Sequence, residues 1–401
     1  MSEAPSYSVE PAHDERRLRI TDDGHGASND PAGQETLSLH DDGITIVLNN
    51  QRKDARHPTY RRNASVVGEV SLSSTQGVTS ISMRLGGKAT INFSTAPIHI
   101  IELLDIPLTL WEVESASACP TTLPFAFVFP GNCVDKESGS SHALPPSYDP
   151  LGESISLQDL HVRCVYRLSV HIARPRWMPD KVINVDIEYA PRTAPPRAML
   201  ITPFPFRDTI RAYPEEWWRT SAILPVRPDS VLQPIDCDLF IPSVRIFARR
   251  DVIPVFLQLR GTSSSISALF STEDKTRGLA RRLLAITRGS KKPLNVDIVV
   301  QRQATALTND GEISRSYTAG TSSLYSVPPG YTPPGMDSDT FTVDYEGEIN
   351  LAPHVTVGGF NIGRLRVSDF IELSVQPSGS AANQFASLVH SVPVRIVTGW
   401  T

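Results

Sequence analysis

Cysteine is scarce in this sequence. Four cysteines in 401 residues, Cys119, Cys133, Cys164 and Cys237, stand far apart and include no C-x-x-C pair, so neither a disulfide framework nor a spaced zinc site is expected. A reduced compartment follows from that. Long apolar runs are missing as well: none approaches the ~20 residues of a membrane span. The polar opening MSEAPSYSVEPAHDERRLRITDDGHG has no signal-peptide core, so a cytoplasmic location is the expectation. Positive charge is not in excess. The net charge of −5 offers no basic face for nucleic acid, which is excluded as a partner.

Catalytic signatures are absent too. There is no G-x-S-x-G elbow and no H-E-x-x-H pair. GGKAT, residues 86–90, lacks the earlier glycine of a phosphate loop and carries Ala where Ser or Thr would hold magnesium, so it reads as a hairpin turn. HDDG, residues 40–43, sets an imidazole beside two carboxylates just before a glycine and reads as a turn. The histidines are scattered, with no second ligand at metal spacing. No reaction, metal or cofactor is proposed by these residues.

Proline and period-two patterning are abundant. The 33 prolines exceed the usual ~5% and favour loops and turns over long helices. Residues 1–36 are Ser, Gly, Asp, Pro and charge, the composition of a disordered tail. Alternation then begins. In VGEVSL (67–72) Gly68, Val70 and Leu72 share one face; in TSISMRL (79–85) Ile81, Met83 and Leu85 do. HVRCVYRLSVHI (161–172) sets Val162, Cys164, Tyr166, Leu168, Val170 and Ile172 against a polar face, and VINVDIEY (182–189) repeats it. Such alternation marks half-buried antiparallel strands. It returns in VIPVFLQL (252–259), NVDIVVQ (295–301), FTVDYEGEI (341–349), DFIELSV (369–375) and SVPVRIVT (391–398).

The expected fold is all-β: two antiparallel β-sandwiches, residues 37–200 and 236–401, with a Pro- and aromatic-rich linker, 201–235, along their interface. STEDKTRGLARRLLAITRGSKK, residues 271–292, reads as a short amphipathic helix inserted in the second domain. Leu279, Leu283 and Ile286 fall at helical spacing, and Gly289 stands at its end. A solvated charged face is one reading of it. A contact with anionic lipid is the other, through Arg281, Arg282, Arg288, Lys291 and Lys292.

Two motifs remain: PPGY at 328–331, in a Pro-rich loop expected over 318–338, and PPSY at 145–148. Proline runs stay extended and suit an aromatic groove at low entropic cost. A stiff loop is the plainer reading.

The order of landmarks resembles the arrestin-like proteins, in particular the fungal α-arrestins. In the first half these are DDGITIVL (41–48), YRRNASVVGEVSL (60–72), LPFAFVFP (123–130) and LPPSY (144–148) before the long strand HVRCVYRLSVHI. In the second they are DVIPVFLQLRG (251–261), VTVGGFNIGRLRVSDFIELSV (355–375) and VPVRIVTG (392–399). The resemblance implies tandem Ig-like sandwiches without catalysis. It also implies an adaptor that links membrane cargo, at the plasma membrane or endosomes, to HECT-type ubiquitin ligases whose WW domains bind Pro-Pro-x-Tyr. Pro328, Pro329 and Tyr331 become the expected ligand. Tyr148 becomes a packing residue in the family's Leu-Pro-x-Ser-Phe position. A retromer-like scaffold that needs no ligase, and a sugar-binding or enzymatic sandwich, are the competing classes.

Overall fold

The computed structural model describes residues 35–52, 55–93, 96–113, 118–136, 138–149, 160–200, 203–270, 294–308, 311–327 and 340–399. The N-terminal stretch through residue 34 and the basic segment 271–292 lie outside them.

Alternating sequence becomes strand wherever one face finds a core. The first half runs β1 (Glu35–Asp41), β2 (Ile44–Gln51), β3 (Thr59–Tyr60), β4 (Ser65–Leu72), β5 (Ser80–Phe93), β6 (Ala96–Glu112), β7 (Thr122–Val128), β8 (Asn132–Val134), β9 (Ser141–Ala143), β10 (Leu160–Ala173) and β11 (Lys181–Tyr189). A four-stranded sheet, β1-β2-β4-β7, faces a five-stranded one, β3-β11-β10-β5-β6. Ile46, Leu48, Val66 and Val70 of the first meet Ile81, Met83, Leu85 and Leu168 of the second in one core. Every inward residue read from HVRCVYRLSVHI is 0–1% exposed. HDDG is the β1–β2 hairpin turn, with Asp42 and Gly43 at φ of 44° and 76°, the two positive values that a tight I′-type turn requires.

GGKAT, expected as a hairpin turn, is instead the middle of β5, which is continuous from residue 80 to 93 with an irregularity at Gly87/Lys88. Gly87 makes room for an aromatic ring: a Cβ there would lie 2.7 Å from Tyr166 Cδ1. That ring belongs to a stack of Tyr60, Phe129, Tyr166 and Tyr189 inside the first half.

The second half runs α1 (Phe206–Ala212), β12 (Trp217–Leu224), β13 (Ile235–Pro242), β14 (Ile246–Ala248), β15 (Ile253–Thr262), α2 (Ser263–Leu269), β16 (Leu294–Thr308), β17 (Gly311–Val327), β18 (Thr340–Leu351), β19 (Phe360–Asn361), β20 (Leu365–Pro377) and β21 (Leu388–Val397). These strands form one ten-stranded sheet, β12-β13-β15-β18-β17-β16-β20-β21-β14 with β19 on β20. It curls until Thr220 Oγ1 of β12 meets His390 Nε2 of β21 at 2.7 Å. Pairing is antiparallel except for β3–β11 and β14–β21. No helix of the described residues is long and apolar enough to cross a membrane.

Three expectations change here. Residues 201–235 are not simply a linker: α1 lies across the sheet through Phe206, Trp217 and Phe256, and WWRTSAIL is strand β12. That cover explains why Ile253–Leu257 is buried on both faces rather than alternately. Residues 318–327, expected as loop, belong to β17, which pairs with β16 and β18. Among the described residues two short α-helices, α1 and α2, stand where none was expected, and the helix expected over 271–292 lies outside the described residues. Thr262 caps α2 through its side chain, directly before segment 271–292.

Candidate functional site

The two proline motifs separate sharply. Leu144, Pro145, Pro146 and Tyr148 of LPPSY are buried, and the backbone is sewn between β10 and β11. Tyr148 N donates to Cys164 O at 3.1 Å, Cys164 N returns to Tyr148 O at 2.8 Å, and Ser147 N donates to Tyr189 O at 2.8 Å. Tyr166 Oη donates to Pro145 O at 2.5 Å. A WW groove needs both proline rings and the tyrosine ring in the open. PPSY offers none of them, so Tyr148 is the packing residue that the sequence suggested.

Pro328, Pro329 and Tyr331 lie outside the described residues, on the connection between β17 and β18. The strands that hold this connection are paired up to Val327 and Asp344 and carry exposed Tyr325 and Phe341. The lipid-contact residues Arg281, Arg282, Arg288, Lys291 and Lys292 also lie outside the described residues.

Tyr148 leads to a cluster that sequence reasoning missed. Its ring meets Phe360 edge-on, centroids 5.5 Å apart, and its hydroxyl is 3.3 Å from that of Tyr317. Burial, and then Tyr317, hold the Tyr148 hydroxyl well above its ordinary pKa. Tyr317, Arg302 and Asp369 form a row across β17, β16 and β20, directly paired in register. Arg302 and Asp369 are each 1% exposed. Arg302 Nε donates to Asp369 Oδ1 at 2.7 Å and Nη2 to Oδ2 at 3.2 Å. Arg302 Nη1 donates to Val357 O at 2.8 Å, and Ile396 N donates to Asp369 Oδ2 at 3.2 Å.

Burial works against the Arg302 charge. Asp369 more than compensates, by its charge and its hydrogen bonds, so the guanidinium pKa lies above its ordinary value. The segment over the pair must come close. A Cβ on Gly358 would sit 2.5 Å from Ile396 O, and one on Gly359 2.6 Å from Val367 O. Gly358 and Gly359 are there for that approach.

This cluster marks the junction of the two halves. Ala304, Ala306, Ile362, Leu365 and Val367 of the second half complete the apolar core of the first. The row holds a matched ion pair with its polar atoms partnered. It offers no nucleophile aimed into open space, so its chemistry is that of a specific, costly-to-break contact. A signal for it was available. The inward row of β16 is Val296, Ile298, Val300, Arg302 and Ala304, and that of β20 is Val367, Asp369, Ile371, Leu373 and Val375. One charge interrupts each apolar row, and the signs are opposite.

No protein-family model matches this chain, and no curated protein matches it.

Proposed function

We propose that the chain is a non-catalytic, arrestin-like adaptor, built as two tandem Ig-like sandwiches, that links membrane cargo to HECT-type ubiquitin ligases. In this reading Pro328 and Pro329 dock on the aromatic groove of a WW domain and Tyr331 fills the adjoining pocket. The protein works in the cytoplasm, peripheral to the plasma membrane or endosomes, with 271–292 as a basic segment toward anionic lipid.

The observation that carries the reading is the sorting of the two motifs. PPSY has its tyrosine in the core at the junction of the halves, whereas PPGY belongs to the connection between two paired strands. Further support comes from where the landmarks fall. YRRNASVVGEVSL runs from the last residue of β3 through β4, LPFAFVFP holds most of β7, and VTVGGFNIGRLRVSDFIELSV holds β19, most of β20 and the glycine pair over Arg302–Asp369.

The test is affinity purification of the wild-type chain and Tyr331→Ala from cell lysate, read by mass spectrometry. Loss of a HECT-type ligase from the variant supports the proposal. An unchanged partner list contradicts it and favours a scaffold that works without a ligase.

A further inference from the structure

The loop between β10 and β11 displays its tryptophan instead of packing it. It reads Arg174-Pro175-Arg176-Trp177-Met178-Pro179-Asp180 and is held by its own bonds. Arg174 N donates to Asp180 Oδ1 at 2.8 Å, Met178 N donates to Pro175 O at 2.8 Å, and His171 Nε2 lies 3.1 Å from Asp180 Oδ2. Met178 turns inward onto Gly77, where a Cβ would come 3.0 Å from its Sδ. Trp177 turns outward and is 79% exposed, with Val182 and Val113 exposed nearby. Val113 belongs to the same end of the sheet: its amide donates to Thr79 O, and the Thr79 amide donates to Ala173 O.

Charge at this tip is unevenly matched. Lys181 pairs with Asp42 at 2.9 Å, and the Asp180 carboxylate is taken up by His171 and the Arg174 amide. Among the described residues, neither Arg174 nor Arg176 forms an ion pair. The turn therefore presents an indole beside the exposed Arg176, with Arg174 half-buried behind it and its Nε buried without a partner. Indole has an apolar body with one N–H donor, a combination that favours the boundary between headgroups and acyl chains. Guanidinium groups favour the phosphates and carboxylates of an anionic leaflet, where each basic residue contributes a factor of about five in binding at low salt.

We propose that this tip docks on the surface of an anionic phospholipid bilayer, with Trp177 seated in the interface and Arg176 on the headgroups. The inference does not depend on the proposed ligase recruitment or on segment 271–292.

The experiment is co-sedimentation of the full chain with phosphatidylcholine vesicles, with and without phosphatidylserine, comparing wild type, Trp177→Ala and Arg176→Glu. Wild type is expected to pellet with phosphatidylserine and release as salt rises. Trp177→Ala should bind about ten-fold more weakly, from the apolar area it no longer buries, and Arg176→Glu at least about five-fold more weakly. Both variants should unfold at the wild-type midpoint, because both side chains project into solvent. The same losses should occur when Arg281, Arg282, Lys291 and Lys292 are all replaced by Glu, which separates the two surfaces. The proposal is overturned if wild type ignores the anionic vesicles or pellets equally with neutral ones. It is also overturned if both variants bind like wild type, or if Trp177→Ala lowers the unfolding midpoint as a core truncation does.

Discussion

Cutting the Arg302–Asp369 pair on one side should be far worse than removing both partners. Each side chain is 1% exposed and the contact is two-pronged, so a lone survivor would be a buried charge without a counterion. Such a loss costs about 3–5 kcal/mol. Asp369→Leu should fall in that range, because arginine cannot shed its proton. Arg302→Met should cost a similar amount near neutral pH. Its stranded carboxyl can take up a proton, so that variant should regain stability as pH falls, whereas Asp369→Leu should not.

The double variant, Arg302→Met with Asp369→Leu, removes both charges and keeps an apolar filling. What remains lost are the bonds to Val357 O and from Ile396 N, about 1 kcal/mol each. It should therefore lie within about 2 kcal/mol of wild type. Urea unfolding of the full chain, followed by circular dichroism on all four proteins, reads these differences directly. A cost under about 1 kcal/mol for Asp369→Leu would refute the claim that the pair is buried and mutually dependent. So would a double variant as unstable as the sum of the two singles.

Two further predictions concern the first half. Tyr148→Ala should cost about 3–5 kcal/mol, as large aromatic truncations in cores do. Tyr148→Phe, which loses only the contact with the Tyr317 hydroxyl, should cost about 1 kcal/mol; thermal or urea unfolding distinguishes them, and equal small effects would mean that the PPSY tyrosine is not core. Gly87→Ala should cost about 1–3 kcal/mol, since its Cβ must displace the Tyr166 ring; a neutral result would show that the ring has room to move.

Much of this architecture is legible from alternation, because an antiparallel strand with one buried face writes that face at every second residue. HVRCVYRLSVHI gives β10 almost to the residue, and the Asp-Gly pair gives the β1–β2 turn. What escapes does so for local reasons. GGKAT looks like a turn because glycine usually marks one, while here Gly87 yields space to a ring contributed by a strand some eighty residues away. β17 is rich in Ser, Gly and Thr because much of it is exposed, and this resembles loop composition. β12 hides behind prolines and a one-turn connection after α1. Arg302 and Asp369 could have been flagged as charges on inward rows. Their pairing could not, since register between strands distant in sequence is not written in either strand alone.

We propose that Tyr331, and not Tyr148, is the tyrosine that a WW domain reads. Calorimetric titration of a HECT-ligase WW domain into the full chain tests it most directly, with Tyr331→Ala and Tyr148→Phe as comparisons. Binding to wild type and to Tyr148→Phe is expected, and none to Tyr331→Ala. Absence of heat with wild type across the WW domains of such ligases, or binding that survives Tyr331→Ala, would contradict it.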